Sequence, residues 1–69
     1  MFKKLSTFKV VYETKNFSKA AELLFVVQTT VSAQIKQLEN ELGTTLFIRN
    51  GRNEVLATPQ ADLLYQKTG

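Results

Sequence analysis

Between Thr29 and Gly43 the chain reads Thr-Thr-Val-Ser-Ala-Gln-Ile-Lys-Gln-Leu-Glu-Asn-Glu-Leu-Gly, and this stretch constrains the fold more than any other. Val31, Ile35, Leu38 and Leu42 recur at spacings of four, three and four, the period of a single stripe on an α-helix. At about 100° per residue, Thr29, Ala33, Lys36 and Asn40 fall roughly opposite that stripe, with Ser32 on its flank. A merely solvated face is expected to carry Glu and Lys of strong helix propensity. Here Glu39 and Glu41 come late, and the first two turns hold no acid. A helix start clear of acid and lined with Thr, Ser, Gln and Lys is suited to approach a polyanion. The pattern predicts a DNA-recognition helix over about 29–42, its apolar stripe turned into a core.

Such a helix needs other helices to receive its stripe, and composition says how they are held. The chain has 69 residues, enough for one small domain. Its apolar content is 43%, compatible with a packed core. Cys and His are both absent. That excludes disulfides, thiolate metal sites, zinc fingers, haem ligation and His-based acid–base chemistry, so stability rests on helix packing. Nine Lys and Arg against six Asp and Glu give a net charge of +3, which admits a nucleic-acid partner without requiring one. No apolar run approaches the ~18 residues of a membrane span. The Met1-Phe-Lys-Lys start lacks the apolar segment of a signal peptide. The expectation is a soluble cytoplasmic protein with no membrane partner.

In chain order, Lys3 to Thr14 is predicted as a first helix with Leu5, Phe8, Val11 and Tyr12 on one face, ending at Lys15-Asn16 where Asn takes the left-handed conformation. Ser18 is the expected cap of a short second helix from Lys19 to about Leu24, whose Ala20-Ala21 pair lets the next helix approach closely. Phe25-Val-Val-Gln28 holds no Gly or Pro but shifts the periodicity, so a tight turn with Val26 or Val27 directed inward is expected. Gln28 or Thr29 then caps the third helix, which Gly43 ends. Leu46–Arg49 and Glu54–Ala57 flank Asn50-Gly-Arg-Asn53, a strong hairpin signal. Thr58-Pro59 opens a fourth helix as cap and first residue, with Ala61, Leu64 and Tyr65 on one side. Phe8, Tyr12, Phe17, Phe25 and Phe47 are read as core filling in preference to a stacking platform for single strands. The carboxylates Glu13, Glu22, Glu39, Glu41, Glu54 and Asp62 form no acid–base pair and are read as solvated helix charges, so no enzyme activity is expected.

The order is helix, helix–turn–helix, hairpin, helix: mainly α with a small β-hairpin. With these residues it resembles the N-terminal domain of LysR-type transcriptional regulators, a winged helix–turn–helix. The resemblance runs from Leu5 to about Leu64. It is carried by Phe17-Ser-Lys-Ala-Ala21 with Leu24, by Val31-Ser32 with Gln34-Ile35-Lys36, by Leu38-Glu39 with Leu42-Gly43, by Leu46-Phe47 with Arg49, and by Thr58-Pro59. It implies a winged DNA-binding domain over 1–57 and the truncated start of a linker (dimerisation) helix over 58–69. It also implies a homodimer or tetramer in the full-length bacterial protein, and a small-molecule co-inducer bound by a C-terminal sensor domain absent from this chain. No cofactor is expected in the domain itself. Several positions depart from the family pattern. Lys15-Asn16 replaces Gly-Ser, which implies a left-handed and strained Lys15; Val27-Gln28-Thr29 replaces Ser-Gln-Pro, Ala33 stands where Arg or Gln is frequent, and Gln60-Ala61 replaces Ala-Gly. The interval from the wing to Thr58 is one residue longer.

The resemblance places the recognition helix in the major groove and the wing, about 46–57, at the neighbouring minor groove of double-stranded DNA. Thr29, Thr30, Ser32, Ala33 and Lys36 form the base- and phosphate-facing set, since the N-terminal part of a recognition helix reads base edges. Hydroxyls suit phosphate or either groove edge, while Ala33 and a Thr methyl suit the thymine methyl. Gln28 suits bidentate pairing with adenine. Arg49 and Arg52, with Asn53, bracket the wing tip, where a narrow minor groove attracts Arg. Ser18 and Lys19 open the second helix over the phosphate backbone. Each has a plainer alternative: Thr29, Thr30 or Ser18 as simple caps, Lys36 as a solvated charge, the arginines as protection of an edge hairpin. For the whole chain the alternative is a winged-helix protein–protein interaction module without DNA contact.

Overall fold

The structure, a computed structural model, describes residues 3–68; the Met1-Phe2 start and Gly69 lie outside the described residues. Helices α1 (Lys3–Thr14), α2 (Phe17–Leu24) and α3 (Gln28–Leu42) pack against one another. Strands β1 (Phe47–Arg49) and β2 (Val55–Ala57) form an antiparallel hairpin, and α4 (Pro59–Thr68) returns to lie against α1. This is the expected winged helix–turn–helix.

The core forms where the apolar faces meet. Phe8 and Val11 of α1, Ala20 and Ala21 of α2, and Val31, Ile35 and Leu38 of α3 are all buried, and Phe17, Leu46, Phe47, Val55 and Ala61 close the cluster. The two alanines lie on the α2 face that meets its neighbours, where small side chains permit close backbone approach. Leu42, the fourth member of the α3 stripe, is 47% exposed. The chain turns away at Gly43, and burial of the stripe ends one turn early. Beside it Glu41 is held by an ion pair with Lys4, while the buried Thr7 hydroxyl donates to Gln34 and ties α1 to α3.

Helices α1, α2 and α3 each end on a left-handed residue: Lys15 (φ 55°), Phe25 (φ 58°) and Gly43 (φ 68°). Only the third is a glycine, the residue that takes this conformation without a Cβ penalty. The first bears out the left-handed Lys15 that the family resemblance implied and corrects the alternative of a left-handed Asn16. Lys15 takes the left-handed place, with its ammonium donating to the Tyr12 carbonyl at 2.6 Å and lying 4.1 Å from the Tyr12 ring centre. Asn16 stays extended and caps α2, its side-chain oxygen accepting from the Lys19 N–H at 2.9 Å. Ser18 is therefore not the cap but a first-turn residue of a helix that starts two positions earlier than expected.

The α2–α3 turn holds a second correction. The Phe25 N–H donates to the Glu22 carbonyl at 3.2 Å and the Val26 N–H to the Ala21 carbonyl at 3.0 Å, a Schellman closure. It reverses the chain so sharply that the side chains radiate outward. Phe25 is 93% exposed, and Val26 and Val27 are exposed too. Phe25 thus fills no core, and neither valine points inward. Val27, not Gln28 or Thr29, is the N-cap of α3, and no side-chain cap hydrogen bond is formed there.

In the hairpin, Phe47 faces Ala57, Ile48 faces Leu56 and Arg49 faces Val55. The Asn50 N–H donates to the Glu54 carbonyl at 2.8 Å, so the tip spans 50–54 and is wider than a two-residue Asn-Gly turn. Gly51, at φ 125°, supplies a conformation that L side chains rarely adopt. Thr58 caps α4 as expected. Its hydroxyl accepts from the Ala61 N–H at 3.3 Å and donates to the Thr45 carbonyl at 2.7 Å, joining the helix to the start of the wing. Helix α4 is also braced to α1 by a pair of crossed contacts. The Tyr12 and Tyr65 rings stack at 4.1 Å, the Tyr12 hydroxyl donates to Asp62 at 2.6 Å, and the Tyr65 hydroxyl donates to Glu13 at 2.6 Å.

Three outcomes follow from this packing. Phe25→Asn replaces an exposed left-handed aromatic by a residue that tolerates the conformation, and should leave stability unchanged or raise it by up to about 1 kcal/mol. Phe8→Ala should cost about 3–5 kcal/mol; urea unfolding of the two variants compares them. The hydrogen bond to Asp62, with partial desolvation and the Asp62 charge, raises Tyr12 above its ordinary 10.0, and the bond to Glu13 does the same for Tyr65. A phenol raised in the folded state stabilises fully below its unfolded pKa and loses that contribution as pH rises through the folded value. Stability should therefore fall above about pH 10, less steeply in Tyr12→Phe/Tyr65→Phe, with tyrosinate absorbance reporting the same step.

Candidate nucleic-acid interface

The α3 stripe fixes what its other side presents. With Val31, Ile35 and Leu38 buried, Thr29, Ala33, Lys36 and Asn40 are all exposed, as the helical period requires. Ser32 and Thr30 flank this face and are half-buried. Lys36 is the sole cation in the α3 sequence, and it stands beside an open groove between α3 and the wing. Phe17, Ser32, Ile35, Lys36, Phe47 and Arg49 are among the residues that line it.

Arg49 enters that groove because of its register. It shares a hairpin face with Phe47 and Val55, the side turned to the core. Its guanidinium lies 5.2 Å from the Phe17 ring centre, and Nη1 donates to the Arg52 carbonyl at 2.8 Å. The side chain is thus pre-positioned across the rim of the groove, while Arg52 is exposed at the tip. The two arginines do not act as an equivalent pair.

Glu39 lies in the same groove, half-buried, and corrects its reading as a solvated charge. Its carboxylate accepts from the Leu46 N–H at 2.8 Å and the Phe47 N–H at 3.2 Å, fastening the start of β1 to α3. The sequence holds little local signal for this, because the partners lie seven and eight positions away across a turn. The acid is thereby engaged with backbone donors on the side where Lys36 and Arg49 are exposed.

A second hollow adjoins the start of α2, lined by Thr14, Asn16, Ser18, Lys19, Glu22 and Asn53. Ser18 and Lys19 are thus brought beside Asn53 of the wing. Asn53 in turn accepts a hydrogen bond from the Gln28 side-chain amide, and its carbonyl accepts from the Phe17 N–H at 2.9 Å. Asn16, whose role the sequence analysis overlooked, pairs with Glu54 in an isolated bridge; an Asn immediately before an apolar-periodic run was the available cue. The expected residues therefore fall into connected groups: the exposed α3 face, the Ser32–Lys36–Arg49 groove, and the Ser18–Lys19–Asn53 hollow linked to Gln28.

Helix–turn–helix, hairpin wing and an exposed polar face on the second helix define a winged helix–turn–helix regulator domain. The comparisons identify which kind. Residues 2–62 match the sequence family described as bacterial regulatory helix-turn-helix protein, lysR family, and the chain belongs to that family. It is 47% identical over 60 residues to the HTH-type transcriptional regulator HdfR of Yersinia enterocolitica serotype O:8 / biotype 1B, covering 87% of this chain and 20% of that relative. The chain therefore spans a fifth of the length of the curated relatives it matches. The BenM DNA-binding domain in complex with benA site 1 DNA superposes with a TM-score of 0.88 at 39% identity, over 97% of this chain and 74% of that one. The CbnR DNA-binding domain, also in a DNA complex, gives 0.91 at 28% identity, over 97% and 76%. The C206S mutant of Corynebacterium glutamicum OxyR, H2O2-bound, gives 0.90 at 33%, over 97% of this chain and 20% of that one. The family is one of transcriptional regulators, not of enzymes. Among the described residues no helix is long and apolar enough to cross a membrane.

The unequal settings of the arginines predict unequal effects on the free protein. Arg49→Ala removes a cation–ring contact and a backbone hydrogen bond and should cost about 0.5–1 kcal/mol. Arg52→Ala should leave the melting temperature within error, as thermal denaturation of both variants would establish.

Proposed function

We propose that this chain binds double-stranded DNA in a sequence-specific manner as the N-terminal domain of a bacterial LysR-type regulator. Residues 1–57 form the winged DNA-binding unit, and 58–69 begin a helix that pairs two subunits. The observation that carries this is the exposed Thr29–Ala33–Lys36 face beside an open groove rimmed by Arg49, in a chain whose relatives BenM and CbnR have been solved on DNA. That combination favours duplex DNA over the protein-interaction module.

In this reading α3 enters the major groove, and Thr29, Thr30, Ser32, Ala33 and Lys36 meet base edges and phosphates. Arg52 and Arg49 serve the wing at the minor groove, and Ser18 and Lys19 meet the backbone at the start of α2. A single copy with few cationic contacts binds near the non-specific range of ~10⁻⁴–10⁻⁶ M at physiological salt. Two copies on half-sites ~34 Å apart bind tightly. The full-length protein is then a cytoplasmic homodimer or tetramer, and a small co-inducer binds in a further C-terminal domain.

Lys36→Ala tests the central contact. Fluorescence anisotropy on duplex DNA across a salt series should give weaker binding and a log–log salt slope smaller by about one. Unchanged affinity at low salt would remove Lys36 from the interface.

A further inference from the structure

Gln28 opens α3, and Asn53 sits on the returning side of the wing tip. They are 25 positions apart in sequence, yet the Gln28 Nε2 donates to the Asn53 Oδ1. Both side chains are half-buried, so neither is required to fill the core. Ordering two such side chains costs rotamer entropy, and the bond between them lies where the recognition helix and wing converge.

Asn53 is itself held in place by the backbone around it. Its carbonyl accepts the Phe17 N–H at 2.9 Å, and the Val55 N–H donates to the Lys15 carbonyl at 3.0 Å. Glu54 between them bridges Asn16. The returning arm of the wing is stitched to the α1–α2 junction, and the Asn53 side chain projects from a fixed point. Among the described residues Gln28 makes no other side-chain hydrogen bond, and no side-chain cap is formed at the start of its helix.

We infer that Asn53 is a positioning residue that sets which hydrogen-bonding edge Gln28 offers to a base pair. This rests on the DNA-binding reading above. A glutamine amide has two N–H donors and one acceptor oxygen. With one donor committed to Asn53, Gln28 retains Oε1 and a single N–H. One acceptor beside one donor complements adenine, which shows an N6 amine and the N7 acceptor in the major groove. Guanine shows two acceptors, O6 and N7, and is matched only by a side chain with two free donors. A glutamine released from Asn53 has those two donors. The wing thus narrows the recognition helix to adenine over guanine without touching the base.

The test uses the 69-residue chain at low ionic strength on a randomised duplex library, with sequencing of the retained fraction. The wild-type chain should prefer adenine over guanine at one position of its half-site, and Gln28→Ala should abolish that preference. Asn53→Ala should reduce it about tenfold, within the range set by one bidentate pair, and the double variant should match Gln28→Ala alone at that position. Asn53→Asp keeps the acceptor and should keep the preference, while its added charge weakens all duplexes alike. A preference that survives Asn53→Ala, or single effects that multiply in the double variant, would overturn this inference and leave the proposed function standing. A wild-type chain that binds duplex DNA but shows no adenine preference overturns this inference alone, and one that binds no duplex even at low salt overturns both.

Discussion

Burial of Val31, Ile35 and Leu38 against the faces of α1 and α2 is the constraint on which the remainder depends. With no cysteine or histidine in so short a chain, the three-helix core supplies the stability, and it also fixes the rotation of α3 about its own axis. Rotation decides function here, because the polar residues have no independent means of choosing a direction. Once the stripe is sequestered, Thr29, Ala33 and Lys36 face solvent by geometry alone. Ala20 and Ala21 set how closely the helices approach; larger side chains at those positions would push α3 outward and turn its face with it.

The hairpin is bound to this core by polar contacts at its ends as well as by Phe47 and Val55. Glu39 receives two backbone donors where β1 begins, Thr58 links the exit of β2 to the chain before β1, and Asn53 joins the tip to α2 and α3. A two-stranded ribbon is marginal by itself, so these attachments determine where the wing stands relative to the recognition helix. Gly51 supplies the positive-φ conformation that the tip requires, while the anchored positions on either side stay fixed.

What could be read from the sequence, and what could not, divides along the range of the interactions. Helix identities, the Thr58-Pro59 start and the Gly43 stop rest on neighbours three or four positions apart, and these were legible. The α2–α3 corner was not. Phe25 is an apolar residue between two apolar neighbours, and only the hydrogen bonds back to Ala21 and Glu22 reveal that it points away from the core. Propensity alone favours Asn16 for the left-handed place that Lys15 takes: the ammonium of Lys15 finds the Tyr12 carbonyl and ring, a compensation that propensity does not contain. Glu39 and the Gln28–Asn53 pair lay furthest out of reach, because each joins elements separated by a turn or by the length of the domain. Of the residues of the proposed interface, Lys19, Thr29, Ala33, Lys36, Arg49 and Arg52 are exposed and Ser18, Gln28, Thr30, Ser32 and Asn53 are half-buried, a grouping that emerges only with the fold.

On the proposed reading, that grouping bears on how a face with so few strong hydrogen-bonding side chains would discriminate among bases. Thr29, Ser32 and Ala33 are short, and short side chains let the helix backbone seat deeply in a groove while reaching little to either side. Long flexible side chains can tolerate a displaced helix by adjusting their rotamers; a methyl or a hydroxyl one bond from the backbone cannot. Selectivity then depends on how accurately the helix is placed, and hence on the second helix, the wing base and the links between them. A tethered wing and a sparse recognition face would then be two aspects of one solution: where side chains carry less of the reading, the scaffold must carry more of the positioning.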